Sequence, residues 1–210
     1  MADPAPKISA VVVTFRSGPV LRKCLNALCA QQQPHEIIIV DNGNEAEDLG
    51  WLKAFAAARR RPVELITGHG NIGFGNGVNL GVRHASGERI LIINPDAILV
   101  DGSLQALENA LDETKSPCLV GGKLFYPSGK EQRGGRREML TLPRAMISFM
   151  ILDTFEKQVP AFRKLHREHD PEPEGPVPMP VVSGALMYMR TSDFRALGGF
   201  DKRYFLHVED

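Results

Sequence analysis

The sequence predicts an α/β fold, a mostly parallel sheet with helices on both faces. Three observations predict it. Short aliphatic runs alternate, in four rounds, with segments of helical periodicity. The runs are apolar throughout instead of alternating with polar residues, as strands covered on both faces are. The polar residues Thr14, Asp41, Asn42, Asn71 and Asp96 fall where those runs end. Ligands of open parallel sheets bind beyond the carboxyl ends of the strands, so these ends mark a site.

The elements follow in order. Ile8 to Val13 is a buried strand, and from Val20 the residues Leu21, Leu25, Leu28 and Cys29 recur at helical spacing. Glu36 to Val40 is the second strand, closed by the turn chemistry of Asp41-Asn42-Gly43. A helix follows over roughly Asp48 to Arg60, then a strand at Val63 to Thr67, a glycine-rich loop, and a helix through Ala85. Arg89 to Ile93 is the fourth strand, ending in Asn94-Pro95-Asp96. Leu104, Leu107 and Leu111 mark another helix, and Cys118 to Tyr126 reads as a strand.

Beyond Tyr126 the pattern loosens. Pro127 to Met139 is polar, basic and glycine-bearing, which predicts a mobile loop. Leu140 to Phe155 is rich in Met and Phe and suits core or lid packing, or an amphipathic patch facing an acceptor or a membrane. The proline-rich stretch His169 to Pro180 reads as a linker or extended lid. Regular structure resumes at Val181; Thr191-Ser192-Asp193 opens a helix and Gly198-Gly199 stops it. The chain therefore divides into residues 1–126, 127–180 and 181–210.

Length and composition suit this reading. The 210 residues are 43% hydrophobic and 24% charged, with 25 basic and 25 acidic side chains. Such a balance gives no bulk attraction to nucleic acid. The runs Arg59-Arg60-Arg61 and Arg133 to Arg137 read as solvated faces. Cys24, Cys29 and Cys118 form neither a metal spacing nor a disulfide framework. With no apolar signal core at MADPAPKIS and no bilayer-length apolar run, a cytoplasmic location is expected.

Gly68-His69-Gly70-Asn71-Ile72-Gly73 satisfies the G-x-G-x-x-G pattern of dinucleotide folds. In those folds the glycines occupy the first strand-to-helix turn, and an acid some 20 residues on ends the second strand. Here they follow the third strand, and the acid at that spacing, Glu88, precedes a strand. The match is accidental. A phosphate loop fails for want of G-x-x-x-x-G-K-[ST], and no G-x-S-x-G elbow supports a serine nucleophile.

A nucleotide sugar fits better. Asp41 and Asn42 can pair with the edge of a base. The loop from Gly70 to Gly77 admits close approach to the backbone, and Asn76 and Asn79 stand on the following helix. Asp96 has the oxygen chemistry that Mg2+ or Mn2+ prefers, and either cation bridges well to a diphosphate.

The stretches ISAVVVTFRS, EIIIVDNGN, GNIGFGNGVNLGVRHASGERILIINPDAIL and VVSGALMYMRTSDFRALGGFDKRYFLHVED span nearly the whole chain. In these the sequence resembles the family 2 glycosyltransferases of GT-A fold, in particular their rhamnosyltransferase-like branch. The resemblance implies an inverting, usually metal-assisted transfer from a nucleoside-diphosphate sugar to an acceptor hydroxyl. It implies that Thr14 and Arg16 line the base and ribose pocket and that Asp41 contacts the base with Asn42 beside it. Asn71, Gly73 and Asn79 correspond to the loop and helix beneath the nucleotide. Asn94-Pro95-Asp96 stands where the family carries Asp-x-Asp, with Asp96 as the metal-facing acid. Asn94 replaces the first carboxylate, which weakens the expectation of strict metal dependence. Ser183 and Gly184 belong to the segment approaching donor and acceptor. Glu209-Asp210 matches the family's acid pair, with Asp210 as base and Glu209 as the alternative. His207 is a candidate diphosphate or metal contact.

The resemblance further implies a glycan or lipid-linked acceptor in cell-surface polysaccharide synthesis, with dTDP-rhamnose as the branch's donor. A place at the inner membrane face, through peripheral association, would suit such an acceptor. The family continues past its acid pair, so a chain stopping at Asp210 is expected to be truncated. Two other readings compete with this one. A sugar-1-phosphate nucleotidyltransferase needs a basic glycine-rich loop after the first strand, which Thr14 to Pro19 lacks. A non-catalytic nucleotide-sugar or glycan-binding module, or an inactive truncated transferase domain, would consume no donor.

Overall fold

Uninterrupted aliphatic runs form the middle of the sheet. In the computed structural model, which describes residues 7–33, 35–58, 61–132, 135–139, 171 and 173–205, strand β1 (Ile8–Thr14) is buried at every position. It pairs in parallel with β2 (His35–Asp41) on one side and β4 (Arg89–Ile93) on the other. β2 pairs in parallel with β3 (Val63–Ile66). β4 also pairs, antiparallel, with β8 (Leu186–Arg190), whose other neighbour is β5 (Leu119–Gly121). The order β3-β2-β1-β4-β8-β5 makes β1 the strand from which the connections turn in opposite directions. A crevice opens at that switch point in doubly wound sheets.

The helices are α1 (Pro19–Ala30), α2 (Ala46–Ala57), α3 (Phe74–His84), α4 (Ser103–Asp112) and α5 (Thr191–Ala196). Pro19 opens α1, where its missing N–H costs nothing. One stripe of α1, Leu21, Cys24, Leu25 and Leu28, is buried, and so are Leu104, Leu107 and Leu111 of α4. Gly198 and Gly199, both at positive φ, close α5 with bonds from their N–H groups to the carbonyls of Arg195 and Phe194. Among the described residues, no helix is long and apolar enough to cross a membrane.

Helix α3 lies closer to the sheet than side chains ordinarily allow. A Cβ at Gly77 would stand 2.8 Å from Val13 Cγ1, and one at Gly81 would stand 2.5 Å from Val11 Cγ1 and 3.2 Å from Val40 Cγ2. These glycines answer to helix–sheet packing.

Two expectations change at the surface. Arg61 is not part of a solvated face. Its guanidinium donates to the carbonyls of Gln31 (2.7 Å) and Gln33 (3.0 Å) and reaches His35 Nδ1 at 2.8 Å. It caps carbonyls near the start of β2, a partnership that a run of arginines does not advertise. Arg59, Arg60 and Arg133 lie outside the described residues. The strand expected over Cys118 to Tyr126 is only Leu119–Gly121, because Gly121-Gly122 supplies no side chains to extend a ladder.

Burial, with the nearby Arg61 charge, lowers the pKa of His35 from its ordinary 6.5. The native state then resists a proton that the unfolded chain accepts. Its stabilising contribution is whole above the unfolded value and is lost as pH falls below it towards the folded value. The urea midpoint should therefore decline as pH falls below about 6.5. His35→Gln should flatten that slope, and equal slopes in both proteins would refute the assignment.

The chain divides into two compact units, Met1–Val120 with Gly184–Asp210, and Gly121–Ser183. In the second unit β6 (Arg136–Arg137) pairs antiparallel with β7 (Val181–Val182). Arg136 grips Glu131 with two bonds of 2.6 and 2.8 Å and reaches the Pro171 carbonyl at 3.3 Å. The expected mobile loop thus contains a paired strand and a half-buried ion pair, again in place of a solvated basic face. Residues 140–170, which include the Met-rich segment Leu140 to Phe155, lie outside the described residues.

Candidate active site

The parallel register brings the expected residues to one edge. Thr14 is the direct partner of Asp41 across β1 and β2. Val11 pairs with Ile92, so Asn94 leaves β4 beside the same end of β1. Asn94 N–H donates to the Ala185 carbonyl at 3.0 Å, which draws Gly184-Ala185 alongside. Ser183 is half-buried and follows β7.

Asp41 is buried at 4% exposure, and its carboxylate is well furnished with donors. Oδ1 accepts from Gly43 N–H (3.1 Å), Asn44 N–H (2.8 Å) and Asn44 Nδ2 (2.8 Å), and Oδ2 accepts from Thr67 Oγ1 (3.1 Å). Among the described residues, this leaves one acceptor direction, on Oδ2.

Asn42 is buried too, and its amide serves the protein. Nδ2 donates to the Gly73 carbonyl at 3.0 Å, and Oδ1 accepts from His69 Nε2 at 3.1 Å. It fastens the loop before α3 to the end of β2. Asn79 likewise gives Nδ2 to the Phe200 carbonyl (2.8 Å) and takes the Phe200 N–H on Oδ1 (2.9 Å). Both were expected at the nucleotide; the structure uses their amides to hold backbone. A Cβ on Gly199 would collide with Asn79 Oδ1, so the glycine is what lets the amide approach.

Asn71 is exposed, and its Oδ1 accepts the Gly73 N–H at 3.0 Å. Gly73 caps α3 at φ 83, and a Cβ there would strike the Phe205 carbonyl. A cavity of about 500 Å³ runs along this flank of α3, between Asn71, Asn76, Arg83, Lys202 and Phe205. Thr14, Asp41 and Asp96 do not line it.

The turn after β1 carries the backbone's exception. Arg16 has φ 47, the positive-φ residue other than glycine among those described, and its guanidinium lies 5.4 Å from the Phe15 ring centroid. Thr14 is fully buried and bonds Ser17 Oγ at 2.8 Å. Asn44, which the sequence reading missed, ties this turn to Asp41. Its side chain accepts the Ser17 N–H at 3.1 Å and donates to Thr14 Oγ1, also at 3.1 Å. The asparagine-rich turn DNGN was its only sequence signal.

Asp96 is exposed and has no hydrogen-bond or ion-pair partner among the described residues. Beneath it, Cys24 on α1 donates Sγ–H to the Asn94 carbonyl at 3.6 Å. Burial, and then the Asp96 charge, push the Cys24 thiol up to about 12, so it stays a protonated donor. Among the described residues, no group of three His, Cys, Asp or Glu side chains could hold a metal by itself. A single free carboxylate fits a cation that takes its remaining oxygens from a diphosphate. His207, Glu209 and Asp210 lie outside the described residues.

A mostly parallel sheet of this order, with polar groups gathered at the β1 switch point, has the GT-A architecture. Residues 9–196 match the family model for glycosyl transferase family 2, and the chain belongs to that family. It is 29% identical over 216 residues to the N-acetylglucosaminyl-diphospho-decaprenol L-rhamnosyltransferase of Mycobacterium tuberculosis, covering 95% of this chain and 66% of that protein. It is 26% identical over 208 residues to rhamnosyltransferase WbbL of Escherichia coli, covering 95% and 72%. Among solved structures, S. aureus TarS 1-349 superposes with a TM-score of 0.59 at 18% identity, covering 97% of this chain and 52% of that one. The mannosyltransferase PcManGT from Pyrobaculum calidifontis, in complex with GDP-Man and Mn2+, gives 0.56 at 18%, covering 95% and 49%. These two likenesses carry the fold.

Proposed function

We infer that the chain is an inverting glycosyltransferase. It moves a sugar from a nucleoside diphosphate to a hydroxyl of a glycan or lipid-linked acceptor in cell-surface polysaccharide synthesis. The observation that carries this reading is the pairing of a buried, donor-fixed carboxylate, Asp41, with a free exposed one, Asp96, at one sheet edge. Asp41 holds the base, the exposed Arg16 flanks base and ribose with the buried Thr14 supporting its turn from behind, and Asn71 and Gly73 shape the loop beneath. Asn42 and Asn79 act from behind by holding that loop and the Phe200 turn. Asp96, with Asn94 beside it, would hold Mg2+ or Mn2+; when bound, the cation offsets charge on the departing diphosphate. Gly184 faces the sugar. Asp210 takes the acceptor's proton as its oxygen attacks the anomeric carbon, with Glu209 as the alternative base.

The nucleobase follows from the bonds at Asp41. One free acceptor direction suits a single imide N–H, as in uracil or thymine. Guanine presents N1–H and N2–H side by side and needs both carboxylate oxygens. A pyrimidine donor is therefore favoured, and the rhamnosyltransferase relatives support dTDP-rhamnose among these. UDP and dTDP should bind at least about tenfold more tightly than GDP, roughly one charge-assisted hydrogen bond. Calorimetry with the three nucleotides tests this, and GDP binding as well as UDP would overturn the base reading. Release of free sugar from a bound donor separates a transferase from a binding module, which would consume none.

A further inference from the structure

The geometry points to Asn44 as a positioning residue of the donor site, one side chain that sets both the Asp41 carboxylate and the strained turn bearing Arg16. This rests on the donor reading above. Asn44 stands in the β2–α2 connection, yet its partners lie at the ends of two strands and in the turn after β1. Towards β2, its N–H and its Nδ2 both reach Asp41 Oδ1 at 2.8 Å. Towards β1, its Oδ1 takes the Ser17 N–H at 3.1 Å and its Nδ2 lies 3.1 Å from Thr14 Oγ1. Thr14 and Ser17 bracket Arg16, whose φ of 47 is a conformation that a side-chain-bearing residue keeps only when its surroundings hold it. The bonds from Asn44 to either side of Arg16 are that hold.

Two consequences follow for a ligand. Saturating Oδ1 fixes the carboxylate plane, so the free direction on Oδ2 points one way. Pinning Ser17 and Thr14 keeps Phe15 and Arg16, both exposed, on the rim of the same edge. Asn44 thus preorganises donor contacts from two strands without itself offering a free donor or acceptor.

The charged groups around it are Asp41 at the end of β2, Arg16 in the bridged turn and Glu45 next in the chain. Among the described residues, Asp41 is the one of these that touches its amide. Asn44→Asp keeps the shape and the acceptor for Ser17, but it replaces the donor facing Asp41 with a second carboxylate oxygen. Two such carboxylates share a proton more readily than either binds one alone. This variant should bind UDP worse than Asn44→Ala near neutral pH and regain affinity relative to it as pH falls.

The experiment is calorimetric binding of UDP to the wild-type chain, Asn44→Ala, Asn44→Asp, Asp41→Ala and the Asp41→Ala/Asn44→Ala double variant, with urea midpoints for each. Asn44→Ala should weaken UDP roughly tenfold, about what one or two lost net hydrogen bonds cost. The double variant should lose less than the sum of the two single losses, because the part of the Asn44 effect that passes through Asp41 is already gone. Full additivity, or an Asn44→Asp affinity that tracks Asn44→Ala at every pH, would overturn the proposal. Wild-type binding that survives Asn44→Ala sinks the role of Asn44 alone. A wild-type chain that takes up neither UDP, dTDP nor GDP sinks the donor reading and this proposal with it.

Discussion

Gly81→Leu should destabilise the chain by about 3 kcal/mol or more, the upper range for overpacking a tight interface. The first added carbon would already stand 2.5 Å from Val11 Cγ1 and 3.2 Å from Val40 Cγ2, and three more must follow it. Val11 and Val40 are fully buried on adjacent strands, so neither can turn its methyl groups into open space. The helix would have to lift, and lifting it also parts Gly77 from Val13 and Gly73 from the end of β2. Helical propensity favours leucine over glycine by about 0.5–1 kcal/mol, too little to offset this. Gly50→Ala, on α2 where nothing lies within 4 Å, is the control. It should gain about 0.5–1 kcal/mol from propensity alone. Urea denaturation reads both, and a Gly81→Leu midpoint matching the wild type would mean that α3 does not rest on the sheet.

The second large effect concerns turnover. Asp210→Asn should lower kcat by about 100-fold to 10,000-fold, the ordinary worth of a general base, while UDP affinity stays near wild type. Asp96→Asn should behave differently. Because Asp96 has no partner among the described residues, its replacement should leave the urea midpoint unchanged. It should instead cost transfer about 100-fold and raise the Mn2+ concentration needed for half-maximal rate, as removal of charge stabilisation at a leaving group does. Glu209→Gln is the companion test: if it silences turnover and Asp210→Asn does not, the two acids exchange roles.

The frame of this site was legible in the sequence because burial on both faces leaves a blunt signature. Ile8–Thr14, His35–Asp41 and Arg89–Ile93 are apolar runs bounded by polar residues, and the structure has strands there. The glycines of α3 were harder. Gly77 fell within the expected ligand loop, and its neighbour Val13, like Val11 beside Gly81, shows packing instead. Asn42 and Asn79 illustrate a different limit. An asparagine at a strand end or on a helix suggests a ligand, but Asn79 meets Phe200, 121 positions away, and no local pattern encodes that bond. Arg61 hid among arginines, and Asn44 hid in turn chemistry, since each owes its role to partners about 30 residues off. The acid pair Glu209-Asp210 was legible by resemblance alone.

The antiparallel strand β8 has a consequence for how such proteins diversify. The chain leaves the sheet after β5 and returns at β8, its immediate neighbour, so the 63 residues of Gly121–Ser183 form an excursion whose two ends are tethered side by side. Closing a loop between fixed neighbours grows dearer only logarithmically, by about 0.6 kcal/mol for each doubling of its length. Insertions of very different size can be exchanged at this point while the edge at the β1 switch point stays as it is.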